Sequence, residues 1–431
     1  MQEDQTTWIK IKTEDLRIGM FIVDMGRSWM NHPFLTNKKF ITSPKQIEKL
    51  KEYGILEVYI DPQKGWVPEG AMAFPNDRTK EDEKIAHFPP EPPSPFPNLS
   101  SFSPEEKVPI HQEIKEAKKV HQEAQIIVRE VMRDIRLGKN IESAKVKRIV
   151  QKMADSIFRN PDALASLTRI KGYDEYTFVH SINVCILCLT LGRHLNLERE
   201  SLEQLGMGAL LHDAGKMKIP NYILQKPGKL SEAEFAEIKK HPLYSIEILE
   251  KSEGLSEESK LVALQHHERY AGHGYPSSLQ GEEIGKFAQM AAIADVYDAI
   301  TTNRCYKKAA SPYAALQEMY LSANRDFNQF LLERFIQCMG IYPIGTLVQL
   351  DTQEIGLVCS VNHQQLLRPH VLLLFKNPKQ SYRHPIVADL MEKDNASGSF
   401  KRTILKPLNA QKWNICVDDY LAAAAWGEII F

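Results

Sequence analysis

The stretch His266-His267-Glu268-Arg269-Tyr270-Ala271-Gly272-His273-Gly274-Tyr275-Pro276 ends an apolar run, Leu261 to Leu264, with two adjacent imidazoles and then breaks into a loop. Neighbouring helical residues point about 100° apart, so both rings reach one ion only near a helix end, where the backbone can turn. Gly272 and Gly274 open backbone angles closed to other residues, and Pro276 stiffens the exit, so the loop has a defined shape. The alternative is a chance pair of histidines on a solvated helix.

Outward from this stretch the chain reads as consecutive helices, from Ser143 to about Met339. Apolar residues recur at three- and four-residue intervals in Val146 to Phe158, His180 to Leu195, Leu202 to Leu211, Glu232 to Ile238, Tyr244 to Glu250, Glu283 to Asn303 and Pro312 to Ala323. After Gly340 the pattern turns to alternation, and Thr346 to Leu350, Ile355 to Val361 and Val371 to Leu374 read as strands. The start of the chain mixes short β-like runs, Trp8 to Ile11, Met20 to Asp24 and Leu56 to Ile60, with one helix-like segment, Ser43 to Tyr53. Between these parts lies Pro89-Pro90-Glu91-Pro92-Pro93-Ser94-Pro95-Phe96-Pro97, which forms neither helix nor central strand and reads as an extended linker. Glu113 to Leu137 is a charged amphipathic helix. It either joins a regulatory to an output domain, pairs with its copy in a homodimer, or packs on its own chain.

The expected architecture is therefore multidomain. Residues 1–75 form a small α+β module, 76–109 a linker, 110–142 a connecting helix, 143–345 an all-α domain and 346–431 a small β-rich appendage. At 431 residues, two or three compact units are the natural expectation. A formal charge of −1 argues against a sequence-independent grip on DNA. The N-terminus lacks a secretory signal and no apolar run approaches the ~20 residues of a spanning helix, so a cytoplasmic protein off the membrane is expected. Cys185 and Cys188 have C-x-x-C spacing, but no second pair accompanies them, which favours packing over metal or redox chemistry.

Several candidates for chemistry lie in the helical part. His180 opens an apolar helix, His212-Asp213 closes the run Met207 to Leu211, His241 precedes a helix, and Asp295 sits inside Ile293-Ala294-Asp295-Val296-Tyr297-Asp298. Singly, each reads as a hydrogen-bonded core residue. Together with His266 and His267 they are five imidazoles and two carboxylates flanking helices that face the interior, and burying each separately demands a separate partner. A shared cation site satisfies them all. Seven donors exceed the needs of one catalytic ion, so two divalent ions are expected. Nitrogen and oxygen donors without thiolate suit iron or manganese, with zinc as an alternative. Asp213 can bridge such a pair, and Lys216, one turn beyond His212, can neutralise charge on a phosphoryl group. The bland reading of Lys216 is a surface lysine.

The H…HD…D pattern of His180, His212-Asp213 and Asp295 resembles the HD phosphohydrolase superfamily. His241, His266-His267-Glu268 and Gly274-Tyr275-Pro276 look like the HD-GYP subfamily, bacterial phosphodiesterases of cyclic di-GMP. The resemblance continues through Lys226-Pro227-Gly228-Lys229-Leu230 and Ile341-Tyr342-Pro343-Ile344-Gly345 and covers about half the chain. Gly19-Met20-Phe21 and Ser28-Trp29-Met30-Asn31-His32-Pro33-Phe34 are similar to an uncharacterised domain often found ahead of HD-GYP domains. The resemblance implies an HD-type helical catalytic domain with His180, His212, Asp213, His241, His266, His267 and Asp295 as metal ligands. It further implies Asp213 and Lys216 as catalytic residues, and Lys216, Tyr275, Arg304 and Lys307 as contacts to the nucleotide. Arg304, Lys307 and Lys308 read alternatively as a solvated helix end. The implied reaction is attack of a metal-bridging hydroxide on cyclic di-GMP, giving pGpG or, with a second cleavage, GMP. The alternative is a catalytically weak sensor that docks diguanylate cyclase (GGDEF) domains through Gly274-Tyr275-Pro276. Two departures stand out. Tyr176 occupies the position where three-metal members carry Glu, so two metals are expected, and Ala271 and Ser278 replace the family's Asp and Gly.

Overall fold

The computed structural model describes residues 8–24, 39–41, 43–52, 57–62, 73–74, 108–168, 176–226, 228–302, 309–413, 415–417 and 419–421. The proline-rich stretch at 89–97, the segment 28–34 and the tail beyond 421 lie outside them. The chain divides into two units, residues 1–98 and 99–431.

The first unit holds β1 (Trp8–Lys12), β2 (Phe21–Asp24), β3 (Lys39–Phe40), α1 (Pro44–Glu52), β4 (Glu57–Ile60) and β5 (Ala73–Phe74). The strands form one antiparallel sheet in the order β3-β2-β4-β1-β5. In β1, Ile9 and Ile11 point inward and Lys10 and Lys12 outward, so the alternation in the sequence becomes a core face and a wet face. That core also takes Leu50 from α1 and Ile60 from β4.

The second unit begins with α2 (Ile110–Arg136), α3 (Ser143–Arg159), α4 (Pro161–Leu167), α5 (Tyr176–His194) and α6 (Arg199–Leu211). It continues with α7 (Asn221–Leu224), α8 (Glu232–Ile238), α9 (His241–Leu249), α10 (Glu257–Gln265), α11 (Lys286–Thr301), α12 (Pro312–Leu321) and α13 (Gln329–Met339). Helix α5 is buried all round from Ile182 to Leu191 and packs against α2, α3, α4, α6, α11 and α13, as such a helix must. Cys185 and Cys188 are buried within it, and Cys185 donates to the Gly206 carbonyl; both serve packing. Helix α2 lays Ile114, Ala117, Ala124, Val128 and Val131 on α3, α4 and α5. Of the readings offered for this helix, packing on its own chain describes these contacts. Each buried isoleucine or valine among them contributes about 1.5–3 kcal/mol. Among the described residues, no helix is long and apolar enough to cross a membrane.

The chain then forms β6 (Leu347–Leu350), β7 (Ile355–Ser360), β8 (His370–Asn377), β9 (Gln380–Asp389) and β10 (Ile404–Leu408), an antiparallel sheet in the order β10-β6-β7-β8-β9. Its join to the helices is polar and specific. Buried Asp162 of α4 accepts from Ser360 Oγ and Val361 N, both at 3.0 Å.

Candidate metal centre

Helix ends deliver most of the candidate side chains to one place. Apolar α6 runs buried through Leu211 and stops at His212. Asp213 then turns the chain into a short 3-10 segment, Ala214–Lys218. His241 opens α9 and His266 caps α10, while His180 and Asp295 come from within α5 and α11. Gly215 lets the 3-10 segment lie directly on α9: its N–H donates to Ser245 Oγ at 2.8 Å, and Ser245 Oγ donates to the His212 carbonyl at 3.1 Å.

All seven candidate side chains converge in two groups. One atom each from Asp213, His241, His266 and His267 lie within 4.8 Å of one another, and so do those of His180, His212 and Asp295. The Asp213 carboxylate divides between them. Its Oδ2 lies 3.3 Å from His212 Nε2 and 3.9 Å from His180 Nε2, and its Oδ1 lies 3.3 Å from His241 Nε2 and 3.9 Å from His266 Nε2. Asp295 faces His180 Nε2 at 3.0 Å and His267 Nδ1 at 3.9 Å. Lys216 Nζ sits 2.5 Å from Asp213 Oδ2 and is 24% exposed, which marks the side open to solvent. Arg304 and Lys307 lie outside the described residues.

The outer ring nitrogens fix which atom faces inward. His212 Nδ1 meets the Ala209 carbonyl at 2.7 Å, His241 Nδ1 the Ile238 carbonyl at 2.8 Å and His266 Nδ1 the Ala263 carbonyl at 3.0 Å. A carbonyl only accepts, so each of these rings carries a proton on Nδ1 and turns Nε2 into the cluster, where His241 and His266, kept neutral by burial, present a lone pair. His241 Nε2 and His266 Nε2 stand 3.2 Å apart in that state, and two lone pairs at that distance repel unless a cation lies between them. His212 Nε2 and Asp213 Oδ1 are buried without a hydrogen-bond partner, a costly arrangement that a bound cation removes. The donor set therefore fits divalent ions.

The charges agree. Burial lowers the pKa of His241 and, more strongly, of His266 and His267, so these rings stay neutral. Burial pushes the carboxyls upward, but His212 and Lys216 beside Asp213, and His180 beside Asp295, hold both well below the usual range. His180 is the exception among the imidazoles. Burial lowers it, yet hydrogen bonds to Asp295 and to Asp298 (Nδ1 to Oδ2, 2.7 Å) raise it to about 9. In the metal-free protein that proton stabilises the fold fully below the ordinary pKa of 6.5, and the contribution is lost as pH rises through about 9. An ion held by His180 Nε2 would have to displace the proton. Divalent-ion affinity at that group would accordingly tighten by up to about tenfold per unit as pH rises toward 9, with about one proton released at His180. Calorimetry in two buffers of different ionisation enthalpy measures this. Equal heats in both buffers would contradict it.

The loop after His267 is braced from beneath. Buried Glu268 accepts from Ser277 N at 2.7 Å and Leu279 N at 3.1 Å, and Tyr275 N donates to the His267 carbonyl at 3.2 Å. The Tyr275 ring stacks on His267 with centroids 4.6 Å apart and an interplanar angle of 26°. At Gly274 any Cβ would lie 2.4 Å from the backbone of Glu268 and Arg269. Ser278 holds φ at +56°, a left-handed conformation in which glycine is at ease and serine is strained by roughly 1 kcal/mol. Ala271 is exposed, and its backbone still pairs with Arg325 and Gln280. Neither departure displaces a candidate ligand. Sequence reasoning gave no role to Asp298, Asn183, Ser245 or Glu268. Asp298 stood three residues from Asp295 in the same apolar helix, which was the available signal.

Residues 151–329 match the HD domain family, and residues 8–146 match a domain of unknown function, DUF3391. The chain is 34% identical over 410 residues to the cyclic di-GMP phosphodiesterase PA4108 of Pseudomonas aeruginosa, covering 94% of this chain and 93% of that protein. It is 37% identical over 184 residues to the cyclic di-GMP phosphodiesterase response regulator RpfG of Xanthomonas campestris pv. campestris, covering 42% and 49%. It is 36% identical over 169 residues to 3'3'-cGAMP-specific phosphodiesterase 2 of Vibrio cholerae, covering 39% and 32%.

Proposed function

The chain belongs to the HD-GYP family of HD-domain phosphodiesterases, and on that premise we propose that it hydrolyses cyclic di-GMP to pGpG or, with a second cleavage, to GMP. The observation that carries the reading is the inward-facing donor cluster, with two imidazole lone pairs 3.2 Å apart and a carboxylate shared between two groups of ligands. Asp213, His241, His266 and His267 would hold one ion and His180, His212 and Asp295 a second, with Asp213 common to both. Iron or manganese suits this thiolate-free set. When bound, the ions supply Lewis acidity at the phosphoryl oxygens and lower the pKa of the attacking water toward about 7. The chain's own residues do the rest. Lys216 offers its ammonium to the phosphoryl oxygens at the open side of the cluster, and the Tyr275 stack fixes the ring of His267. Asp298, with Asn183 donating to it at 2.9 Å, orients His180.

The division of the chain into a regulatory module (1–75), linker (76–109), connecting helix (110–142), catalytic domain (143–345) and β-rich appendage (346–431) belongs to the same proposal. So does docking of diguanylate cyclase domains at Gly274-Tyr275-Pro276. The relative specific for 3'3'-cGAMP supports a second reading, the same chemistry on a mixed dinucleotide. Chromatography of products from protein purified without oxygen and loaded with iron or manganese tests both, with cyclic di-GMP and 3'3'-cGAMP in competition. Preferred loss of cyclic di-GMP is expected. Product from neither, with either metal, would end the proposal.

A further inference from the structure

Beside the cluster lies a cation with no assigned work. The lysines around it are paired: Lys226 with Glu234 at 2.7 Å and Lys240 with Glu237 at 2.6 Å, while Lys218 pairs with Glu247. Lys239, on the turn between α8 and α9, has no carboxylate partner among the described residues. Its Nζ stands instead 4.8 Å from the Phe235 ring centroid and 5.6 Å from that of Tyr275. Glu237, two residues away, is occupied by Lys240 and by the hydroxyl of Tyr244 at 3.0 Å. Exposed cation–π contacts are worth only about 0.5–1 kcal/mol each, too little to explain an ordered ammonium as a stabilising device. They do keep it from collapsing onto a neighbouring carboxylate.

The position is informative. One face of Tyr275 is taken by His267, so a contact of 5.6 Å to that ring sets Lys239 at the mouth of the cluster, one side chain removed from a candidate ligand. Phe235 is 47% exposed beside it. A cyclic dinucleotide carries two phosphodiesters, and only one at a time can be cut at the cluster. The other needs a cation further out. On the reading of the site given above, we propose that Lys239, propped by Phe235 and Tyr275, binds the phosphate that is not being cleaved and so selects cyclic dinucleotides over smaller phosphodiesters.

The test compares the parent protein with Lys239→Met, which keeps the stem and loses the charge, and Lys239→Arg, all manganese-loaded and assayed on cyclic di-GMP. Lys239→Met should raise KM about tenfold and leave kcat within about twofold, because the contact is made equally before and during cleavage. Lys239→Arg should restore most of the loss. Rising salt should weaken the parent more than Lys239→Met. An unchanged KM in Lys239→Met, a fall in kcat alone, or no rescue by Arg would overturn the assignment. If the parent itself gives no product, the failure lies in the reading of the site and takes this inference with it.

Discussion

Asp213→Ala protein turns over cyclic di-GMP at least roughly a thousandfold more slowly than the parent chain and retains less than its full complement of divalent metal. The expectation rests on the division of one carboxylate between two groups of donors, with Oδ2 toward His180 and His212 and Oδ1 toward His241 and His266. Removing it costs the group of His241, His266 and His267 its only carboxylate, and leaves the other group with Asp295 alone. The loss of several kcal/mol of Lewis-acid stabilisation corresponds to three or more powers of ten. Lys216 is also released, since Asp213 Oδ2 at 2.5 Å is what holds its ammonium against the cluster. Asp213→Asn separates charge from shape: it keeps the volume and an acceptor oxygen, and should lose nearly as much. Metal content by elemental analysis and product by chromatography are read on the same samples. Full metal with full activity in Asp213→Ala would mean that the carboxylate is only a core acceptor.

The parts of this protein that were legible in the sequence are those in which a local pattern carries the whole message. Helix α8 is read residue for residue, and α5 and α6 within a few residues, because their apolar spacing needs no partner to interpret. The sheet edges were not legible. Strands β9 and β10 carry Pro385 and Pro407, which argue against strand until the order β10-β6-β7-β8-β9 makes both of them edges, where a missing N–H costs nothing. Helix α4 is short and buried on every side, so it has no wet face to reveal a period. Its Asp162 finds its donors at Ser360 and Val361, nearly two hundred positions on. The same contrast runs through the candidate site. The seven donors could be picked out by residue type beside apolar helices. The groups behind them, Asp298, Asn183, Ser245 and Glu268, are ordinary polar residues whose roles exist only as distances.

Gly215→Ala, one methyl group added away from any donor atom, should damage this centre nearly as much as loss of a ligand. A Cβ at Gly215 would stand 2.0 Å from the His241 carbonyl oxygen, 2.5 Å from Ser245 N and 2.9 Å from the His241 carbonyl carbon. All three are backbone atoms, so no flexible side chain can give way. The turn after Asp213 and the start of α9 must move apart, which breaks the 2.8 Å bond from Gly215 N to Ser245 Oγ and draws His241 Nε2 away from its 3.3 Å approach to Asp213 Oδ1. Overpacking a core costs typically 1–3 kcal/mol, and with backbone on both sides the upper end is expected, about 3 kcal/mol. In a chain of this size that lowers Tm by roughly 3–4 °C. Metal at the group containing His241 should fall with it, and kcat/KM by more than about a hundredfold. Gly138→Ala is the control. Gly138, unlike Gly215, has a backbone special to glycine, φ +76°, but nothing lies within 4 Å of its Cβ position, so only about 1 kcal/mol of conformational strain is added and the metal is untouched. Thermal melts and metal analysis of the two variants side by side distinguish close approach from glycine's general flexibility. If Gly215→Ala melts no lower than Gly138→Ala and keeps its metal, then the contact between the turn and α9 does not set the position of His241.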